Sequence, residues 1–228
     1  ECSSAQQGDP RFRPADQLPT RPRIVHRREH LVADRPAESA LSEIYLIAGP
    51  AGSGKTTLGL ALANALGVPS LDLDDVTLGL VQQFLGDNPQ HDEPSALGML
   101  REARYELLAA RAAECIEADP SVTLVLIAPF TTEKSSQEGW RAWAGRLGVP
   151  ESALHLVWLD LPPQVRLERL PERGATRDAT VLATAGGGTP LPDPVRPVVP
   201  HVSVDARLPV ADQVRSVLQR FGNASARP

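Results

Sequence analysis

Gly49 is followed after Pro50-Ala51-Gly52-Ser53 by Gly54-Lys55-Thr56-Thr57, a spacing that suits polyphosphate chemistry. Glycines let the backbone bend around an anion and bring N–H donors close to it, because no Cβ intervenes and positive φ costs little. The amides of Gly49, Ala51, Gly52, Ser53 and Gly54 are therefore expected to cradle phosphate oxygens. A helix opening at about Lys55 would add its free N–H groups and positive dipole end. Lys55 is expected to reach the β and γ oxygens of ATP, the Thr56 hydroxyl to ligate Mg²⁺, and Thr57 to offer a further hydroxyl to a phosphate.

Two further groups of residues can act on whatever that loop holds. Ser70-Leu71-Asp72-Leu73-Asp74-Asp75-Val76 reads as a short strand finishing in three carboxylates. At the carboxyl end of a parallel strand these acids would share a crevice with the phosphates. Asp72 is then expected to hold Mg²⁺ through water and Asp74 to take the proton of an acceptor hydroxyl as general base, while Asp75 caps a helix starting near Val76. The strand over residues 122–128 ends in no Asp, so metal duty falls to Asp72. Arg166, Arg169, Arg173 and Arg177 recur at three, four and four residues, which on a continuous helix keeps them near one face. Four like charges there call for an anion, as in the clamps of phosphoryl transfer, unless Glu168, Glu172 and Asp178 pair with them at the surface. Pro171 predicts a break or bend in that helix. Thr131, Thr132 and Lys134 either meet an acceptor or form an exposed loop, two readings the residues support equally.

The elements that must position these groups alternate strand and helix. Ile44–Ala48 leads into the glycine loop, residues 58–66 form an Ala/Leu-rich helix, and residues 122–128 and 154–160 are apolar runs of the kind a strand buried on both faces needs. One long helix is predicted over 95–118, on which Arg101, Arg104 and Tyr105 are candidates for the wall of a substrate pocket, with a solvated face expected for most of them. Others are predicted over 77–85, 137–147 and 210–221, and a last strand over 201–205. Trp140, Trp143 and Cys115 are assigned to packing. Residues 1–42 read as a disordered leader, 43–221 as one domain, and 222–228 as a frayed tail. A net charge of −5 argues against nucleic acid as a partner. Two cysteines support no disulfide framework, and no apolar run spans a membrane, so a cytoplasmic monomer or homodimer is expected. The chain opens on Glu1 with Met99 as its one methionine, so this start is expected to differ from the native one.

The Walker A spacing at Gly49–Thr57, the Asp72-Leu73-Asp74 pair and the Arg169…Arg173-Gly174…Arg177-Asp178 run together resemble the small-molecule kinase branch of the P-loop fold, the gluconate kinase and shikimate kinase group, over about residues 43–221. Zeta-toxin-like and antibiotic phosphotransferase kinases are similar in outline. The resemblance implies a three-layer α/β/α sandwich on a five-stranded parallel sheet, nucleoside-monophosphate-kinase-like, with a lid at about 169–200. It implies catalytic lid roles for Arg169, Arg173 and Arg177, and a place beside the adenine for Asp205-Ala206. The implied activity is transfer of the γ-phosphoryl of ATP, with Mg²⁺, to a hydroxyl of a small molecule, a sugar or sugar acid. A nucleotide-binding regulatory module, or a degenerate pseudokinase without acceptor turnover, is the alternative. A GTPase is disfavoured because no Asn-Lys-x-Asp motif follows, and a motor or transporter ATPase because the Walker B acid is missing.

Overall fold

In the computed structural model, which describes residues 42–173 and 193–222, five strands form one sheet: β1 (Glu43–Ala48), β2 (Ser70–Asp72), β3 (Thr123–Ile127), β4 (Leu154–Asp160) and β5 (His201–Asp205). All neighbours pair in parallel, in the order β2-β3-β1-β4-β5. The central strands are apolar on consecutive residues because both faces are covered. On β1, Ile44, Leu46 and Ala48 face one core and Ile47 the other, and all are fully buried.

The first core joins the sheet to α4 (Arg101–Ala118) and α5 (Gln137–Leu147) through Tyr105, Leu108, Trp140 and Trp143. The second joins it to α1 (Lys55–Leu66) and α7 (Val210–Gly222) through Leu58, Leu62, Val214 and Val217. The three-layer α/β/α arrangement on a five-stranded parallel sheet is therefore as expected. Trp140 and Trp143 pack as assigned, and Cys115, with a free thiol, packs half-buried against the first core. Among the described residues no helix is long and apolar enough to cross a membrane.

Three local expectations are corrected. β2 stops at Asp72, and α2 (Leu73–Asp87) begins at once, so Asp74 and Asp75 lie in a helical first turn and not on a strand. The cap is Asp72, whose carboxylate accepts the Asp74 N–H at 3.0 Å, and Asp75 caps nothing. Acids in a first turn also meet the positive end of the helix dipole. The long helix expected over 95–118 is two, α3 (Glu93–Met99), capped by Asp92, and α4, with Leu100 between them at φ −89° and ψ 6°. The break hides from periodicity because the hydrogen-bond ladder continues on both sides, Leu100 N–H to Ala96 O and Arg104 N–H to Leu100 O.

Third, α6 (Pro163–Arg173) runs through Pro171 without ending there. Pro171 cannot give the N–H bond to the carbonyl four residues back, and the helix closes two residues later, at Arg173. Residues 1–41, expected as a leader, residues 174–192, within the expected lid and including Arg177, and residues 223–228, expected as a tail, lie outside the described residues.

Candidate active site

At the carboxyl end of β1 the chain turns through Gly52 (φ 78°) and Gly54 (φ 87°) into α1. Both conformations are left-handed and cheap only without a Cβ. Gly49 is required for a different reason: a Cβ there would sit 2.6 Å from Ser53 Oγ and 2.9 Å from Leu159 Cβ. Ser53 N–H donates to Pro50 O at 3.2 Å and Lys55 Nζ to Pro50 O at 3.0 Å, so the lysine folds back over the loop it follows. α6 packs against the same loop, Leu170 lying 3.3 Å from where a Gly52 Cβ would be.

A cavity of about 790 Å³ opens over the loop. Gly49, Ala51, Gly52, Gly54, Lys55, Thr56 and Thr57 line it. Ser53 does not: it is buried beneath the loop, and its Oγ has no hydrogen-bond partner. The acids reach the same cavity from β2 and α2. Thr56 Oγ1 donates to Asp72 Oδ2 at 2.8 Å, bringing together the two residues expected to serve a metal. Burial pushes the Asp72 carboxyl above its ordinary range, opposed by the hydrogen bonds from Thr56 and the Asp74 amide and reinforced by the Asp74 and Asp75 charges.

Mg²⁺ fits this pair. It takes oxygen ligands, keeps several waters, and typically uses one or two protein groups beside substrate phosphates. A hydroxyl and a carboxylate over a phosphate loop are such a set, and among the described residues no cluster of three or more His, Cys, Asp or Glu competes with it.

Asp74 is held by Arg104, whose Nη2 donates to Asp74 Oδ1 at 2.7 Å and whose Nε donates to Thr77 Oγ1 at 2.9 Å. Arg104 is buried at 7% exposure and lines the cavity, so its assignment to a solvated helix face is corrected. Nothing in one sequence links positions thirty apart. The available signal is Thr77, a polar residue on the buried side of α2 one turn after Asp74. Tyr105 is likewise buried, in the first core, and Arg101 pairs with Glu133 at 3.5 Å.

Of the arginine run, Arg166 and Arg169 line the cavity, and Arg169 Nη1 donates to Ala206 O at 3.1 Å. Arg173 closes α6, and Arg177 is outside the described residues. Asp205 stays out of the cavity, its carboxylate taken by Arg207 at 2.7 Å. Thr131 and Lys134 line the cavity and Thr132 does not. Trp158 and the segment Asp193-Pro194-Val195, absent from the expected site, also line it.

A parallel sheet in this strand order, with a glycine loop running from its central strand into a helix, defines a P-loop nucleotide-binding domain. Residues 44–185 match the AAA_33 family, described as an AAA domain, and the chain belongs to that family. Among solved structures the chain is similar to a gluconokinase from Sinorhizobium meliloti 1021, at 24% identity and a TM-score of 0.51, over 81% of this chain and 94% of that one. It is also similar to an unliganded sugar kinase from Janibacter sp. HTCC2649, at 17% identity and a TM-score of 0.51, over 79% and 95%. These likenesses show a shared P-loop kinase fold. No curated protein sequence matches the chain.

Proposed function

We propose that the protein is an ATP-dependent phosphotransferase that moves the γ-phosphoryl group to a hydroxyl of a small molecule, a sugar or sugar acid. The observation that carries this is the convergence of Lys55, the Thr56–Asp72 pair and the Arg104-held Asp74 on one cavity. The similarity to a gluconokinase and a sugar kinase supports the same class.

The loop amides and Lys55 bind and orient the triphosphate, and α1 presents its N-terminus to it. Thr56 and Asp72 would hold Mg²⁺, which when bound neutralises charge on the β and γ oxygens. Arg104 fixes the Asp74 carboxylate, which takes the acceptor's hydroxyl proton. As that oxygen bonds to the γ-phosphorus, the bond from phosphorus to the β–γ bridging oxygen breaks and ADP leaves. Arg166 and Arg169 stand on the cavity wall as cations for the transferring group. Arg173 and Arg177 belong to the same clamp by their spacing alone. A place beside the adenine for the Asp205-Ala206 turn is supported by the Arg169 tie to Ala206. We place the enzyme in the cytoplasm, as a monomer or homodimer, with the acceptor as its partner.

The test is ATP consumption over a panel of sugars, sugar acids, nucleosides and aminoglycosides, with Asp74→Asn beside the parent. Acceptor-stimulated ADP release, lost in D74N with ATP affinity kept, is expected. Intact ATP binding with no acceptor-stimulated turnover would refute the assignment.

A further inference from the structure

The loop after β3 carries a lysine for which phosphate positioning leaves no assigned task. Lys134 is buried at 4% exposure yet lines the cavity. Its ammonium donates to Val195 O at 2.7 Å and lies 5.1 Å from the centre of the Trp158 ring. No described carboxylate lies within ion-pair distance of it. Its sequence neighbour Glu133 is engaged by Arg101 at 3.5 Å, and Asp193, on the same wall, is exposed. Trp158, 2% exposed on the cavity lining, adds an indole N–H that is buried and has no hydrogen-bond partner. This wall thus holds a desolvated cation that has a carbonyl and a ring face beside it but no counter-charge, an arrangement that an anion in the cavity would complete.

Topology says which substrate would bring the anion. Asp74 follows β2 and Lys55 follows β1, and β3 lies between those strands. An acceptor hydroxyl between Asp74 and the phosphate loop therefore sits over the carboxyl end of β3, and the rest of its molecule meets the loop that carries Thr131 and Lys134. Of the other cations on the cavity, Arg104 is engaged by the Asp74 carboxylate and Thr77, while Arg169, which like Lys134 meets a backbone carbonyl, stands on α6 on the side of the transferring group. We propose that Lys134 binds an anionic group of the acceptor, so that the molecule phosphorylated is a hydroxyl compound that also bears a carboxylate or a phosphate. This rests on the phosphotransfer assignment above and narrows its substrate class.

The opposing explanation is mechanical. Besides its ammonium contact, Lys134 accepts the Val198 N–H on its carbonyl at 2.9 Å, so it ties residues 195–198 to the loop. Matched acceptors separate the two. Aldonates of four to six carbons, the alditols of equal length and the corresponding sugar monophosphates are titrated calorimetrically into the parent, Lys134→Met and Lys134→Arg, each saturated with a non-hydrolysable ATP analogue and checked by thermal melting. Initial rates are measured in parallel.

The parent should prefer an anionic member over its alditol, the monophosphates and aldonates showing which anion is read. Lys134→Met should lose that preference by about tenfold or more, and Lys134→Arg should keep most of it, with alditol and ATP-analogue affinities unchanged. Equal weakening of neutral and anionic acceptors in K134M would overturn the proposal in favour of the tie, as would loss of ATP-analogue affinity alone. Absence of any anionic binding, or a parent that binds alditols as tightly as aldonates and monophosphates, would overturn it too. Binding of anions through Lys134 without phosphorylation would uphold the anion site and defeat the phosphotransfer assignment.

Discussion

Tyr105→Phe isolates one hydrogen bond on which the acceptor side of the cavity depends. Phe130, the residue before Thr131, is fully buried with φ 46°, the one non-glycine positive φ among the described residues. Its N–H donates to the Tyr105 hydroxyl at 2.8 Å. Burial holds the Tyr105 phenol well above its ordinary range, so it remains a neutral hydroxyl throughout the working pH range. Phenylalanine keeps the ring and hence the edge-on contacts with Phe130 and Trp143, centroids 6.1 and 5.9 Å away, and the Arg101 guanidinium 4.6 Å over the ring.

What the substitution removes is the acceptor, which leaves a buried N–H unsatisfied on a strained residue at a cost of about 1–3 kcal/mol. For a domain of this size each kcal/mol lowers Tm by roughly 2–4 °C, so a loss near the middle of that range is ~4–8 °C. Urea and thermal unfolding measure it, and amide exchange at Phe130 should accelerate. The acceptor KM should rise because Thr131 and Lys134 lose a fixed anchor, while ATP affinity holds. Stability within ~0.5 kcal/mol of the parent, with Phe130 still protected, would refute the assignment of this bond.

Three other outcomes are expected. Asp72→Asn should abolish the Mg²⁺ dependence of ATP binding, yet leave the metal-free protein as stable or slightly more stable near neutral pH, since asparagine caps a helix about as well as aspartate. The sign follows from burial. A carboxyl whose folded-state pKa is raised favours the folded state while protonated, and that advantage disappears as pH rises from the ordinary carboxylate range through the raised value. Mg²⁺ affinity of the parent should accordingly weaken as pH falls through that value, and unfolding of D72N should show less of the acid-side gain. Arg104→Leu should reduce kcat by about 10- to 100-fold by releasing Asp74, with little change in ATP affinity, as read from steady-state rates and nucleotide titration. Gly59→Ala would place a Cβ 2.4 Å from both Cδ1 and Cγ1 of Ile127, so overpacking of about 1–3 kcal/mol should outweigh a helix-propensity gain of about 1 kcal/mol and lower the urea midpoint.

Much of the molecule was legible in sequence because its signals are local. Gly49–Thr57 names its own conformation: Gly52 and Gly54 sit where φ is positive, and α1 starts at Lys55 as the spacing requires. Residues 154–160 read as a strand buried on both faces, and β4 is that strand. The end of β2 was harder, because Asp72 can close a strand or cap a helix. That choice depended on whether its carboxylate found the Asp74 amide, a contact set by how the chain leaves the sheet beside Thr56.

Apart from the crevice that Asp72 shares with Thr56, contacts between distant segments were not legible. Periodicity placed Arg104 on a helix, but only the packing of α2 against α4 turned a candidate surface charge into the buried partner of Asp74 and Thr77. Lys134 on Val195 and Arg169 on Ala206 are decided in the same way. The one-dimensional pattern determines where the chain bends around a phosphate, because bare amides and a helix start within a few residues of each other do that unaided. Which cation is neutralised and which is left for a ligand is settled by the carboxylates that folding brings within about 4 Å of it, and that distance exists only in three dimensions.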